Sequence, residues 1–140
     1  MPMVRIDVYQ STPPAQRAAI ANAVYEAMRE AIGTPEGDRF IAVTAHSPEE
    51  LLVDPGFMGM RRTERFILVQ IFFLKGRTLE QKQALYARIA ERLCEAAGIA
   101  PDDVMIVLTE NSNSDWSMGK GQAQFVQNPP SWVKTPAERN

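Results

Sequence analysis

Displaced by 65 positions, the sequence aligns on itself without a gap. Val4 meets Val69, Ile6 meets Ile71, Gln16 meets Gln81 and Ala19 meets Ala84. Glu26 and Glu30 meet Glu91 and Glu95, and Gly33 meets Gly98. Asp38 meets Asp103, Ile41 meets Ile106 and Thr44 meets Thr109. About a dozen identities result, where ordinary composition yields about three. Such a chain folds as two copies of one small unit plus the segments that join and follow them.

Each copy reads strand, helix, strand. Met3 to Tyr9 alternates, with Val4, Ile6 and Val8 on one face and Arg5 and Asp7 on the other. Its counterpart, Phe66 to Leu74, is almost wholly apolar, as a strand covered on both faces is. Thr12-Pro13-Pro14 opens the first helix, with Thr12 expected as its cap. Ala19, Ala23 and Ala27 recur beside Ile20, Val24 and Met28 at helical spacing, and Gly33 ends the run. In the second copy Thr78 caps, Leu85, Ile89 and Leu93 form the inner stripe, and Gly98 ends the helix with Pro101 just beyond. The closing strands are expected at Arg39 to Ala45 and Val104 to Thr109. The predicted class is α/β: tandem β-α-β units forming a four-stranded sheet with two helices on one face. All 140 residues are read as one domain: copy one at about 2–47, a linking loop at about 48–65, copy two at about 66–112 and a tail at about 113–140. The linking loop is expected to be ordered and to include a short strand.

Two helices cover one sheet face and leave the other bare. That face carries too few charges to be solvated, so a homo-oligomer is expected. A net charge of -2 offers no basic footprint for nucleic acid or an anionic membrane. The single cysteine, Cys94, excludes an intramolecular disulfide and reads as a small buried hydrophobe in a helix. The start, MPMVRIDVYQ, lacks an apolar signal core, and no apolar run approaches the roughly 20 residues a membrane span needs, so a cytoplasmic location is expected.

Pro2 is the sharpest chemical feature. Excision of Met1 would leave it as the first residue, with a secondary amine in place of an amide. An α-amino group has a reference pKa of roughly 7.7 to 8.0, so it can serve as an acid or a base near neutrality. A neighbouring carboxylate favours the cation; apolar burial favours the free amine. From spacing alone, proline at position two is also an ordinary accident.

Pro2 at a strand start, the duplicated β-α-β unit and GTPEGDRF after the first helix together resemble the tautomerase superfamily. Within it the chain is most similar to malonate semialdehyde decarboxylase and its relatives. Further matching segments are AHSPEE around His46, KGRTLEQK from Lys75, GIAPDDV from Gly98 and ENSNSDWSMGKGQAQF from Glu110 to Phe125. The resemblance covers nearly the whole chain. It implies a trimer acting on a small carboxylate with no metal or organic cofactor, and Pro2 at the base of the pocket. It implies that Asp38 assists the proline or activates water, and that Arg77 and Lys75 bind the substrate carboxylate. Lys75 stands where the decarboxylase has an arginine, a point charge in place of a bidentate fork. Trp116, Met118 and Phe125 match the hydrophobic wall, with Met118 replacing an aromatic. His46 also has a counterpart, although a lone histidine before Ser-Pro reads as a loop cap. The implied reaction is decarboxylation of a short 3-oxo acid such as malonate semialdehyde. Keto–enol tautomerisation of a 2-oxo acid of the phenylpyruvate type, hydration of an unsaturated or 3-halo acid, and a non-catalytic trimeric binding protein remain as alternatives.

Overall fold

A computed structural model describes residues 2–133; the expected loss of Met1 and the end of the tail at 134–140 lie outside the described residues. The chain runs β1 (Pro2–Tyr9), α1 (Pro14–Ile32), β2 (Ile41–His46), β3 (Ile67–Leu74), α2 (Leu79–Ala97), β4 (Val104–Asn111) and a single turn of helix, α3 (Gln124–Gln127). β1 and β3 are displaced by 65 residues at both ends, and so are α1 and α2. The sheet order is β2-β1-β3-β4. The outer pairs are parallel and share one register: Val4 faces Ile41 and Ile67 faces Val104, a spacing of 37 in each copy. The central pair is antiparallel, so Pro2 at the start of β1 faces Phe73 near the end of β3.

Alternation decides the layers. Val4, Ile6 and Val8 of β1 and Ile67, Val69, Ile71 and Phe73 of β3 bury against Ile20, Val24 and Met28 of α1 and Leu85, Ile89 and Leu93 of α2. Both helices stop at a glycine in the left-handed region, Gly33 at φ 69° and Gly98 at φ 63°. Their starts differ. Thr78 forms the capping box with Gln81: its hydroxyl accepts from the Gln81 N–H, and the Gln81 side chain accepts from the Thr78 N–H. Thr12 does not cap α1. Pro13 occupies the extended cap position without a side-chain bond, and the proline at the first helical position has no N–H to satisfy. Thr12 is buried instead, whereas Cys94, expected inside, is exposed because Leu85, Ile89 and Leu93 form the buried stripe of α2.

The helix-free face mixes charge and apolar surface. Arg5 and Asp7 of β1 share it with Phe72 of β3 and with Met105 and Val107 of β4, both well exposed. His46 is not a loop cap. β2 extends through it, and its Nε2 lies 2.6 Å from the Asp7 carboxylate on the neighbouring strand. The linking loop contains one 3₁₀ turn, Phe57–Gly59, and no strand among its residues. Met58 and Gly59 both take positive φ, which breaks an extended run. The loop is pinned from within by Asp54, which accepts from the Gly56 and Phe57 N–H groups, and from outside by Asp103. Asp103 accepts from the Thr63 N–H at 2.6 Å and the Thr63 hydroxyl at 2.7 Å. No helix among the described residues is long and apolar enough to cross a membrane.

Candidate functional site

Pro2 is buried at the first position of β1, on the same sheet face as Val4 and Ile6. The residue opposite it, Phe73, is fully buried and carries the Arg77 guanidinium 4.6 Å above its ring centroid. Phe73 offers the π face of its ring to the cation. The Arg77 Nη1 also donates to the Leu74 carbonyl at 2.9 Å. The arginine is therefore folded back from the turn after β3 onto the sheet end where β1 begins. Lys75, in the same turn, is exposed, and its N–H donates to the Asn111 carbonyl at 2.9 Å. Gly76 takes φ 124° between the two cations.

On the other side of β1, the Val4 N–H donates to the Phe40 carbonyl at 2.9 Å. The segment that carries Asp38 and Arg39 leads through Phe40 into β2 along that edge of β1. Asp38 is buried in the turn that follows α1, where its N–H donates to the Pro35 carbonyl at 3.3 Å. The tail closes the same end of the sheet. Phe125 is buried against Leu74 and Val133, with Trp116 packed on them. The Phe125 ring centroid lies 6.3 Å from that of Trp116 and 5.6 Å from that of Trp132. The Trp116 Nε1 donates to the Asn111 side chain at 2.7 Å. Met118 lies further out, 39% exposed, with its N–H held by the Gln124 side chain. Pro2 and Arg77 thus meet at Phe73, with Lys75 in the same turn, while Trp116 and Phe125 pack at the same end of the sheet on Leu74, which strand alternation turns to the other face. His46 lies at the far end of β2, outside this group. An apolar cleft of about 550 Å³ between Tyr9, Pro48, Val53 and Arg62 lies at the far end of β1, about 23 Å along the strand from Pro2 at ordinary strand rise. It takes no part in the group around Pro2.

Two members of the constellation escape a reading of spacing. Phe73 looks like any core residue. Glu110 continues the inward alternation of Val104, Ile106 and Leu108, and a charge at that parity was the available signal. Its carboxylate accepts from the Gly76 N–H at 3.1 Å and pairs with Lys82 of α2. Lys82 first, then the Gly76 N–H and the nearby Arg77, hold the Glu110 carboxyl below its ordinary range. Among the described residues no group of three or more His, Cys, Asp or Glu is placed to hold a metal ion.

A duplicated β-α-β sheet with a buried proline at its first strand and an arginine stacked beside it defines the class. Two family models, both described as tautomerase enzyme, match residues 38–119 and 2–59. The chain belongs to the tautomerase superfamily and stands close to malonate semialdehyde decarboxylase within it. It is 32% identical over 127 residues to the probable tautomerase YusQ of Bacillus subtilis (strain 168), covering 91% of this chain and 100% of that one. It superposes on FG41 malonate semialdehyde decarboxylase inhibited by 3-bromopropiolate with a TM-score of 0.85 and 38% identity, over 92% of this chain and 98% of that one. A second malonate semialdehyde decarboxylase, whose structures were presented as a basis for decarboxylase and hydratase activities, gives 0.82 and 33% over 88% of this chain and 95% of that one. Native fused 4-OT, at 17% identity and a TM-score of 0.71 over 89% of this chain and 98% of that one, shares the fold.

Proposed function

We propose that the protein decarboxylates a short 3-oxo acid such as malonate semialdehyde without a cofactor, using the amine of Pro2 after Met1 is removed. The observation that carries this reading is the row across the sheet: Pro2 buried opposite Phe73, with Arg77 stacked on that ring. Its likeness to two decarboxylases over most of its length supports the choice of reaction. Arg77, with Lys75, holds the substrate carboxylate by charge-assisted hydrogen bonds. Held there, the breaking C–C bond stands perpendicular to the carbonyl plane, so its electron pair can flow into the carbonyl. Protonated Pro2 gives its proton to the carbonyl oxygen as carbon dioxide leaves. The enol then takes a proton from water at carbon while its O–H proton returns to the Pro2 amine, which regenerates the carbonyl and the protonated proline. A neutral Pro2 reaches the same end through a Schiff base, which supplies the electron sink in place of the proton. Asp38 lies on the β2 side of Pro2, where its charge favours the protonated amine. Trp116, Phe125 and Met118 form the apolar wall against which the acid sits.

A second reading, tautomerisation of a 2-oxo acid with Pro2 as a base, is favoured by Lys75. A lysine in place of a second arginine holds the carboxylate less rigidly, and the curated relative from Bacillus subtilis is a probable tautomerase. In either reading the helix-free sheet face is covered by other copies of the chain in a homotrimer. Fused 4-OT, which shares the fold, is described as a trimer.

Intact mass decides the first requirement: the purified protein should lack Met1. Retention of Met1 leaves Pro2 an amide, ends both catalytic readings and leaves a non-catalytic binding protein. Side-by-side kcat/KM for malonate semialdehyde and phenylenolpyruvate ranks the two reactions. Pro2→Ala should lower the preferred one by about 10² to 10⁴, the usual reach of a positioned acid or base. Unchanged turnover of both substrates in that variant would refute the role given to Pro2.

A further inference from the structure

Glu110 stands in one row with Pro2 and Phe73. Phe73 pairs with Pro2 on one side and with Glu110 on the other. Strand parity puts all three on the helix side of the sheet, and Arg77 lies over the middle member. One Glu110 oxygen takes the Gly76 N–H, between Lys75 and Arg77; the other meets Lys82. The turn carrying both cations is thus tied to β4 twice, through Glu110 and through the Lys75 N–H to Asn111 bond. A carboxylate in this place does more than tie a turn. It makes the β4 flank of the cationic site negative.

We propose that Glu110, paired with Lys82, positions the Lys75–Arg77 turn and selects against acids with a second carboxylate. This rests on the reading that Arg77 and Lys75 hold the substrate acid. One carboxylate on Arg77 satisfies the guanidinium. A second one reaching along the row past Phe73 meets the Glu110 oxygens, and like charges there repel, to the extent that Lys82 and solvent leave the Glu110 charge uncompensated. A neutral aldehyde or ketone at the same place meets no such opposition. The substrate class is therefore a short monocarboxylate whose far end is uncharged. Glu110 touches no reacting atom in this scheme; it acts through the turn and through its field.

Isothermal titration calorimetry with propionate and malonate as probes tests this without turnover. In Glu110→Gln the affinity for malonate relative to propionate should rise about tenfold over the wild type. In Lys82→Met, which leaves the Gly76 bond in place and uncovers the Glu110 charge, the ratio should move the other way. A second, kinetic readout is a split: with concentrations corrected for the folded fraction, Glu110→Gln should lower kcat several-fold with KM for the monocarboxylate substrate within about threefold; partial unfolding alone leaves the corrected kcat at the wild-type value. A malonate-to-propionate ratio that rises less than about threefold in Glu110→Gln, or that moves the same way in both variants, overturns the proposal. So does failure of propionate to bind the wild type. None of these outcomes bears on Pro2, whose role stands or falls on the turnover of Pro2→Ala.

Discussion

In the first copy Asp38 is buried in the turn between α1 and β2, two residues before the Phe40 carbonyl that meets the Val4 N–H of β1. In the second its counterpart, Asp103, is committed to the linking loop through the Thr63 N–H and hydroxyl. Other equivalent places diverge in the same way. Pro2 corresponds to Ile67, a plain core residue; Arg77 corresponds to Thr12, buried at the end of β1; Glu110 corresponds to Ala45. The two units keep one register and one pair of glycine stops, yet in the proposed function each supplies only half of the chemistry. There the first would give the amine and Asp38. The second would give Lys75 and Arg77, the ring under Arg77 and Glu110 behind them. Duplication makes the scaffold symmetric, and the substitutions at strand ends make one end of the sheet chemically distinct from the other.

That contrast can be attacked directly. Removing Arg77 should have the largest effect: Arg77→Ala should lower kcat/KM by about 10³, the scale of losing a charged clamp on a reacting acid, while Thr12→Ala at the equivalent place leaves kcat/KM within twofold. Equal effects would break the comparison. The two aspartates should separate next. Asp103→Ala strips Thr63 of both partners and should cost about 2 to 4 kcal/mol in denaturant unfolding, with turnover per folded molecule little changed. Asp38→Asn should instead lower kcat by about tenfold and leave Tm within about 2 °C. Thr78→Ala should cost about 1 kcal/mol by loss of the α2 cap, whereas Thr12, which makes no cap bond, contributes nothing of that kind.

The smallest effect concerns pH. Glu110 titrates below its ordinary value of 4.5 in the folded chain, chiefly because of Lys82. The ionised form is therefore favoured by folding. Its contribution is present above about 4.5 and is lost as pH falls through the lowered value. Glu110→Gln should flatten that part of a Tm-against-pH curve. Ala45, its counterpart, gives the other end of the sheet no such dependence.

Much of the architecture is legible in the amino-acid sequence. The 65-residue shift predicts the spacing of β1 to β3 and α1 to α2, and Thr78, Gly33 and Gly98 mark helix ends by local chemistry alone. Thr12 misled because a cap preference is local and two prolines had already set the backbone there. His46 misled because its partner, Asp7, is 39 residues away. Pro2 stands out by its place after the initiator methionine, whereas Asp38, Lys75 and Arg77 are singled out by resemblance, since nothing in a periodic pattern tells a solvated basic turn from a carboxylate clamp.

The sequence by itself determined the repeating unit, its alternation and its stops, because those depend on neighbours within a turn or a strand. It did not determine which ends would meet. The antiparallel pairing of β1 with β3 decided that, setting Pro2 against Phe73, Arg77 above that ring and Glu110 one strand further on. Cross-strand register is a bargain among distant residues that share a buried face, and no local pattern carries it.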